Sequence, residues 1–315
     1  MVPNARWSII AGANREDAGG DFAYTAPAFR GGGEQRRLNA RSRRFGGHVN
    51  GAWDGESASV RLRVHGSQID RGSPGSIAQP SGTATQDHAR WGASASAEAG
   101  GAHLGVSALL GTQSQEARHV DASPPVGPAY DQETRVNQIE WASQSWWMTD
   151  PVALRVGVEG RRKTLRGNAL ADDATRRIVE TGLWGRLERT DVVGDFQTRL
   201  SLGARLDRHD LVEGSTVSPS LTASIQAPRT TLRLSVRNGF SPPGVSDLFF
   251  QEGVLVRPNP DLEPERVRNE IEATLRRSLE LGRLSLTGGV SAYRAEPVAV
   301  CSGRYAVWPE STGPR

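Results

Sequence analysis

The sequence predicts an all-β chain: a transmembrane, antiparallel, up-and-down sheet forming part of a β-barrel wall. Three observations carry this expectation. Apolar and polar residues alternate with a period of two in segment after segment, whereas helical periodicity is nearly absent. Many alternating segments reach ten residues or more, against about five or six in an ordinary strand. The connections alternate between tight turns and long loops rich in Gly, Pro, Ser, Asp and Arg, as when all the long loops gather on one side of a sheet.

The elements follow from that alternation. About 13 strands are expected, near 5–13, 37–53, 56–68, 86–99, 102–112, 133–148, 151–163, 177–190, 194–208, 216–227, 230–239, 265–279 and 283–294, with ends good to a few residues. In the third, Val60, Leu62 and Val64 share one face, opposite Arg61, Arg63 and His65. In the seventh, Val152, Leu154, Val156 and Val158 oppose Arg155 and Glu159. In the ninth, Phe196, Leu200, Leu202, Ala204 and Leu206 oppose Arg199, Arg205 and Asp207, and Leu232, Leu234 and Val236 likewise alternate with Arg233 and Arg237. Tight turns fall at Asp54-Gly55, Gly100-Gly101, Thr149-Asp150-Pro151, Val193-Gly194 and Pro228-Arg229. Long segments occupy 14–36, 69–85, 113–132, 164–176 and 240–264.

Composition narrows the class. The chain has 315 residues, 38 Lys+Arg against 35 Asp+Glu, 36 Gly and 18 Pro. Lys163 is the sole lysine, so the positive charge is almost all arginine. Apolar residues recur along the whole length, which excludes a collagen, a coiled coil and a disordered chain. The single cysteine, Cys301, forms no internal disulfide and is too few for a structural zinc or iron–sulfur site. No run of 18 apolar residues and no leader pattern occur, so a membrane helix is not expected.

A soluble β-sandwich also alternates, so the polar face has to decide. Strands of ten or more match the tilted span of a hydrocarbon layer, about 9–11 residues. Arg61, Arg63, His65, Arg155, Glu159, Arg199, Arg205, Arg233, Arg237, Glu270, Glu272 and Arg276 are the candidate lumen-facing residues. In a wet lumen such groups pair across strands, whereas arginine facing lipid at mid-depth costs about 2–4 kcal/mol. The apolar face is built thinly from Val, Leu, Ala, Thr and glycines such as Gly185 and Gly288, which suits a lipid-facing wall, since lipid needs no jigsaw packing. Trp53, Trp91, Trp146 and Trp147 near strand ends are candidates for an interfacial belt.

The segment from Asn238 to Arg276 is the most specific. Gly239-Phe240-Ser241-Pro242-Pro243 ends a strand, Asp247-Leu248-Phe249 offers a short amphipathic turn, and Asn259-Pro260-Asp261-Leu262-Glu263-Pro264-Glu265 makes a stiff reversal before a strand carrying Glu270 and Glu272. In this order the segment resembles the TonB-dependent outer-membrane receptors. The residues that match that family's motif are Gly239, Phe240, Pro243, Leu248, Phe249, Asn259, Pro260, Leu262, Pro264 and Glu265. Ser241 and Pro242 depart from the family's Arg and Ala. Ala204-Arg205-Leu206-Asp207, Val217-Ser218-Pro219 and the loop Arg71-Gly72-Ser73-Pro74-Gly75 add to the likeness, which runs through most of 37–294.

The resemblance implies a barrel of 22 strands around a plug, of which this chain would supply about 13. On this reading residues 1–294 are a partial barrel and 295–315 an irregular tail, with plug domain, energy-coupling box and final strands not in the sequence. The parent would sit in the outer membrane of a Gram-negative bacterium and import a scarce solute, a ferric siderophore before cobalamin, haem or a glycan. The energy would come from the inner-membrane TonB complex acting through the plug. The partners implied are outer-membrane lipid, that complex and a metal chelate or other large solute, with no nucleic acid. The six histidines look scattered and none lies between Phe240 and Leu262, which disfavours haem. No catalytic, metal or cofactor motif is found, so an enzyme is not expected. The rival readings are a passive porin-like barrel and a soluble β-rich adhesin.

Overall fold

A computed structural model describes residues 6–76, 79–170, 175–250, 258–281 and 284–299. Thirteen strands form one sheet: β1 (Arg6–Ala18), β4 (Ser42–Asp54), β5 (Ala58–Gly72), β6 (Thr85–Gly100), β7 (Leu104–Asp121), β8 (Tyr130–Thr149), β9 (Val152–Arg166), β10 (Arg176–Val193), β11 (Phe196–His209), β12 (Ser215–Ala227), β13 (Thr230–Ser241), β14 (Glu265–Leu281) and β15 (Leu284–Ala299). They are hydrogen-bonded in exactly that order and every pair is antiparallel. A separate hairpin, β2 (Phe22–Thr25) with β3 (Glu34–Arg37), fills the first long connection, and one short helix, α1 (Val245–Phe249), lies in the last. No described helix is long and apolar enough to cross a membrane.

All thirteen expected strands are present, and they differ from the expectation chiefly in length. β7 and β8 reach 18 and 20 residues, so the expected loop 113–132 shrinks to residues 122–129. A bilayer needs only about 9–11 residues of each strand, which leaves the loop-side ends standing beyond it. Strand β4 begins at Ser42 rather than near 37, because residues 34–37 pair with β2 and Asn39 turns back in the left-handed region, φ 58°. The connection from β11 to β12 is short on the loop side, spanning only 210–214. Strand β15 continues to Ala299, beyond the 294 taken as the limit of the barrel. Residues 300–315, with Cys301, lie outside the described residues.

Register sorts the side chains onto two faces. On one face Leu154, Leu187, Leu202, Leu221, Val236 and Ile271 stand directly opposite one another in a row from β9 to β14. Most are near half exposed, with Leu202 at 50% and Leu187 at 45%. Contiguous apolar surface on that scale is foreign to a water-soluble monomer and natural to a wall that lipid covers. Among the described residues only Leu165 and Ile178 are fully buried large side chains. The sheet therefore has no interior core, and its cohesion comes from the cross-strand ladder and pairing.

Candidate functional site

Every residue expected in the lumen lies on the face opposite that apolar row. Arg61, Arg63 and His65 alternate with Val60, Leu62 and Val64 on β5, and Arg155 and Glu159 with Val156 and Val158 on β9. Arg199 and Arg205 of β11 and Arg233 and Arg237 of β13 share that face with Glu270, Glu272 and Arg276 of β14. The order is set by a period of two carried through tight turns, so one wrong turn length would invert a strand.

The polar face is most densely wired on β8 to β11. The Arg205 guanidinium donates to Glu159 Oε1 at 2.7 Å and to Asp207 at 2.8 Å. One rung toward the loops, Glu180 collects Lys163 Nζ at 2.9 Å, Arg161 at 3.4 Å and His209 Nε2 at 3.2 Å. His209 is 7% exposed, and its Nδ1 accepts the Leu211 N–H at 3.0 Å. Since Nδ1 is an acceptor, Nε2 carries the proton and donates it to Glu180. Elsewhere Arg186 donates to Ser201 at 2.6 Å, Arg61 meets Asp54 at 2.6 Å, Arg199 lies 3.4 Å from Glu188, and Arg237 donates to Glu270 at 2.8 Å. Glu272 accepts a bond from Thr274 at 3.3 Å. Arg63, Arg155, Arg233 and Arg276 have no ion-pair partner among the described residues.

The motif segment folds back over this face. A bulge between Arg237 and Gly239 shifts the register of β13 against β14, and Asn269, φ 56°, donates its N–H to Asn238 Oδ1 at 3.2 Å. Beyond it Pro243 and Leu248 are buried. Val245, Phe249 and Phe250 pack on Leu165, Leu170 and Ile178 of the β9–β10 region. Phe250 bridges to Leu170, and the Arg176 guanidinium sits 4.9 Å above the Phe249 ring. The two halves of the motif meet where the Asn259 N–H donates to the Asp247 carbonyl at 2.8 Å. The Asn259 side chain caps the reversal by accepting the Asp261 N–H at 3.1 Å, and Leu262 donates to the Asn259 carbonyl. Pro260 and Glu265 remain exposed, with Pro264 half-buried.

Beneath this cap lies a cavity of about 380 Å³ lined by Glu140, Arg161, Glu180, Arg205, His209 and Phe240. A second, of about 460 Å³, lies toward the turns between Arg61, Glu98, Gln144, Glu159 and Trp184. Both recesses mix polar and apolar lining in about equal parts, and their charged groups could meet an ionic or hydroxyl-rich solute. Neither holds an arrangement of nucleophile, base and oxyanion donors. No cluster of three or more metal-ligating side chains occurs among the described residues.

Sequence reading missed the Lys163–Glu180–His209 group, because its assembly depends on the register across the connection from β9 to β10. It also missed that histidines pair: His48 stands opposite His65 on β4 and β5, and the His88 and His119 rings lie 5.6 Å apart edge to face. Trp146 is a correction. It shares the polar face with Gly105, over which its ring lies, while its neighbour Trp147 is on the apolar face and 50% exposed. Trp53 keeps its expected place beside Trp7, ring centroids 6.2 Å apart, and Trp91 stays on the apolar face, 53% exposed.

On the loop side, connections are built rather than slack. Asp121 is 2% exposed and accepts Thr83 Oγ1 at 2.6 Å, Ser81 Oγ at 2.9 Å and the Ser123 N–H at 3.1 Å. Burial pushes its carboxyl pKa up, and the three hydrogen bonds outweigh burial and hold it below the usual carboxylate range. The Asn39 side chain donates to the Ala84 carbonyl at 2.8 Å from the other side. Together these contacts fix the loop from β5 to β6.

The family profile of the TonB-dependent receptor-like β-barrel matches residues 3–296. The chain belongs to that family. Solved structures agree on the fold: a ferric enterobactin receptor mutant from Pseudomonas aeruginosa superposes with TM-score 0.67 at 15% identity over 94% of this chain and 49% of that one. A hemophore receptor mutant from Serratia marcescens, solved with its hemophore and heme, gives 0.70 at 13% identity over 92% and 50%. The copper transporter OprC gives 0.62 at 15% over 91% and 52%. The chain thus spans about half the length of these solved structures. No curated protein matches it in sequence.

Proposed function

We propose that this chain is part of the wall of an outer-membrane receptor of a Gram-negative bacterium that captures a scarce solute, a ferric siderophore, for energised import. The apolar face then meets lipid and the polar face lines the lumen, with the residues from Arg61 to Arg276 named above as its lining. The observation that carries the reading is the motif segment seated on the polar face, with Phe240 lining a charged recess.

Arginine suits such a solute because its guanidinium forks onto the oxygens of an anionic chelate. Arg63, and Arg90 which already donates to Gln113 at 2.6 Å, are the cations of β5 and β6 open to that role. Energy would reach the site from the inner membrane through a plug domain that TonB pulls, and the barrel residues would bind without covalent chemistry.

The test uses the full-length receptor. Its binding of a ferric tris-catecholate, a ferric hydroxamate, cobalamin and haem is measured by quenching of tryptophan fluorescence, with Trp184 and Trp146 on the polar face as reporters. Uptake in cells is followed with and without a protonophore. Saturable binding of a ferric chelate and protonophore-sensitive uptake are expected. Unsaturable passage of small sugars in liposome swelling, with no chelate bound, would overturn the reading in favour of a diffusion pore.

A further inference from the structure

The outer, apolar face carries an unexpected group of charges. Above the aliphatic rows of β9 to β11, the residues that continue the outward parity are Arg162 and Arg166 on β9, Arg177 on β10 and Arg208 on β11. Arg177 stands opposite Thr164, the residue between Arg162 and Arg166, so the three arginines surround one threonine. Arg208 stands opposite Thr181 on the same face. All four are exposed, and none has a hydrogen bond or ion pair among the described residues.

Their neighbours behave otherwise. On the same face and the same side of the sheet, Arg15 pairs with Asp17 at 2.7 Å, Arg118 with Asp131 at 2.5 Å and Arg135 with Glu116 at 2.6 Å. Arg135 stands directly opposite Arg166, but its own charge is met by Glu116 and by Glu133 at 4.0 Å, so Arg166 is left as the uncompensated member of that pair. The level of the group is marked by Trp141, which is outward, 40% exposed, and lies over Gly160, one rung below Arg162. An outward tryptophan at the end of an apolar belt sits at head-group depth. The arginines begin immediately beyond it, where the anionic groups of lipid lie and where their stems can rest on Val179 and Ile139.

We propose that Arg162, Arg166 and Arg177, flanked by Arg208, bind the phosphate groups of a phosphorylated lipid in the leaflet on the loop side. This rests on the reading of the sheet as a membrane wall. Three forked guanidiniums around one small residue present convergent donors to phosphomonoester oxygens, and the aliphatic rows below receive the acyl chains. Charge complementarity selects an anionic occupant: the acid registered among the four, Asp210 opposite Val179, spends its carboxylate on the Val179 N–H at 2.8 Å, and the patch keeps a net positive charge.

The experiment compares the full-length receptor with its R162Q/R166Q/R177Q variant and with R189Q, which removes an outward arginine on the turn side that pairs with Asp191 at 2.8 Å. Binding of diphosphoryl lipid A, of the same lipid after dephosphorylation and of inorganic phosphate is followed by native mass spectrometry from detergent. The triple variant is expected to hold the diphosphoryl lipid at least about tenfold more weakly, as the loss of charge-assisted hydrogen bonds implies. R189Q should match the parent, and removal of the phosphates should abolish the difference. Equal retention by the triple variant would overturn the proposal, and inorganic phosphate binding as tightly as the lipid would overturn the lipid assignment. Chelate uptake by the triple variant separates the two readings: if it persists while lipid binding fails to depend on the arginines, only this inference falls. If the parent itself is absent from the outer membrane, the membrane reading falls.

Discussion

Truncating Leu165 to alanine should undock the motif segment without unfolding the sheet. Leu165 is 0% exposed and Ile178 1%, and the cluster they form with Leu170 takes Val245, Phe249 and Phe250 from the far end of the motif segment. A buried Leu→Ala change costs about 2–5 kcal/mol. The low end applies here, about 2–3 kcal/mol, because the cluster lies at the rim of the sheet and can partly collapse. The ladders of Leu165 with Val136 and Arg176 are backbone pairings that alanine retains, so the loss falls on the docked segment. At about 1.4 kcal/mol per tenfold, the open population of the segment should rise about 30- to 150-fold.

Limited proteolysis of the full-length receptor reads that population directly, because cleavage tracks the open fraction when opening and closing are fast. Cleavage between 240 and 264 should accelerate by that factor in Leu165→Ala. Leu200→Ala, on the lipid-facing row and 46% exposed, should leave the rate unchanged. Replacing Arg176 by Gln removes the half-buried cation over Phe249 and should add a smaller acceleration, worth about 1 kcal/mol. If Leu165→Ala lowers the melting temperature of the whole barrel while leaving cleavage of the segment unaltered, the segment is not held by this cluster and the docking argument fails.

Other consequences can be checked independently. Leu202→Arg, at the middle of the outward row, should lower folding stability in lipid by about 2–4 kcal/mol, whereas Ser224→Arg on the opposite face should cost far less; urea titration of refolding into vesicles distinguishes them. Asp121→Asn should loosen the β5–β6 loop, seen as faster amide exchange at residues 79–84, since two hydroxyls and one N–H lose an ionic acceptor. Because the native pKa of Asp121 is depressed, its contribution is fully present above the unfolded carboxylate range and is lost as pH falls through the lower native value. Loop protection in the parent should therefore drop only under acid conditions, and the Asn variant should show no such step. Lys163→Met should weaken chelate capture less than Arg63→Gln, because Lys163 is already committed to Glu180, and equal effects would contradict the division between paired and open cations.

How much of this was legible depends on how local each cause is. The facing of Arg61, Arg155 or Arg233 follows from alternation with immediate neighbours, and those positions came out of the sequence directly. Trp146 and Trp147 show the same rule misapplied: adjacent residues must take opposite faces, and the outward phase of Ile139 and Trp141 assigns Trp147 outward and Trp146 inward. The lengths of β7 and β8 were underestimated because polar residues such as Gln113, Gln115 and Gln132 read as loop, although a strand rising beyond the bilayer has no need of an apolar face. The Glu180 group and the seat of Phe249 on Leu165 were not legible at all. They join residues that are distant in sequence, and their meeting is fixed by registers that composition does not encode.

Arg161 and Arg162 put the same principle in its sharpest form. They are chemically identical neighbours, yet Arg161 turns toward Glu180 at 3.4 Å while Arg162 turns outward beside Val179. A slip of one residue in β9 would exchange them. It would also turn Arg155 and Glu159 toward lipid and bring Val156 and Val158 into the wet face. At about 2–4 kcal/mol for each arginine forced against hydrocarbon, turning Arg155 and Arg161 outward would cost up to about 4–8 kcal/mol, comparable to the whole stability of an ordinary domain. The turn at Thr149–Val152 is thus under as strict a length constraint as any binding residue, since it sets which arginines can meet solute and which can meet lipid.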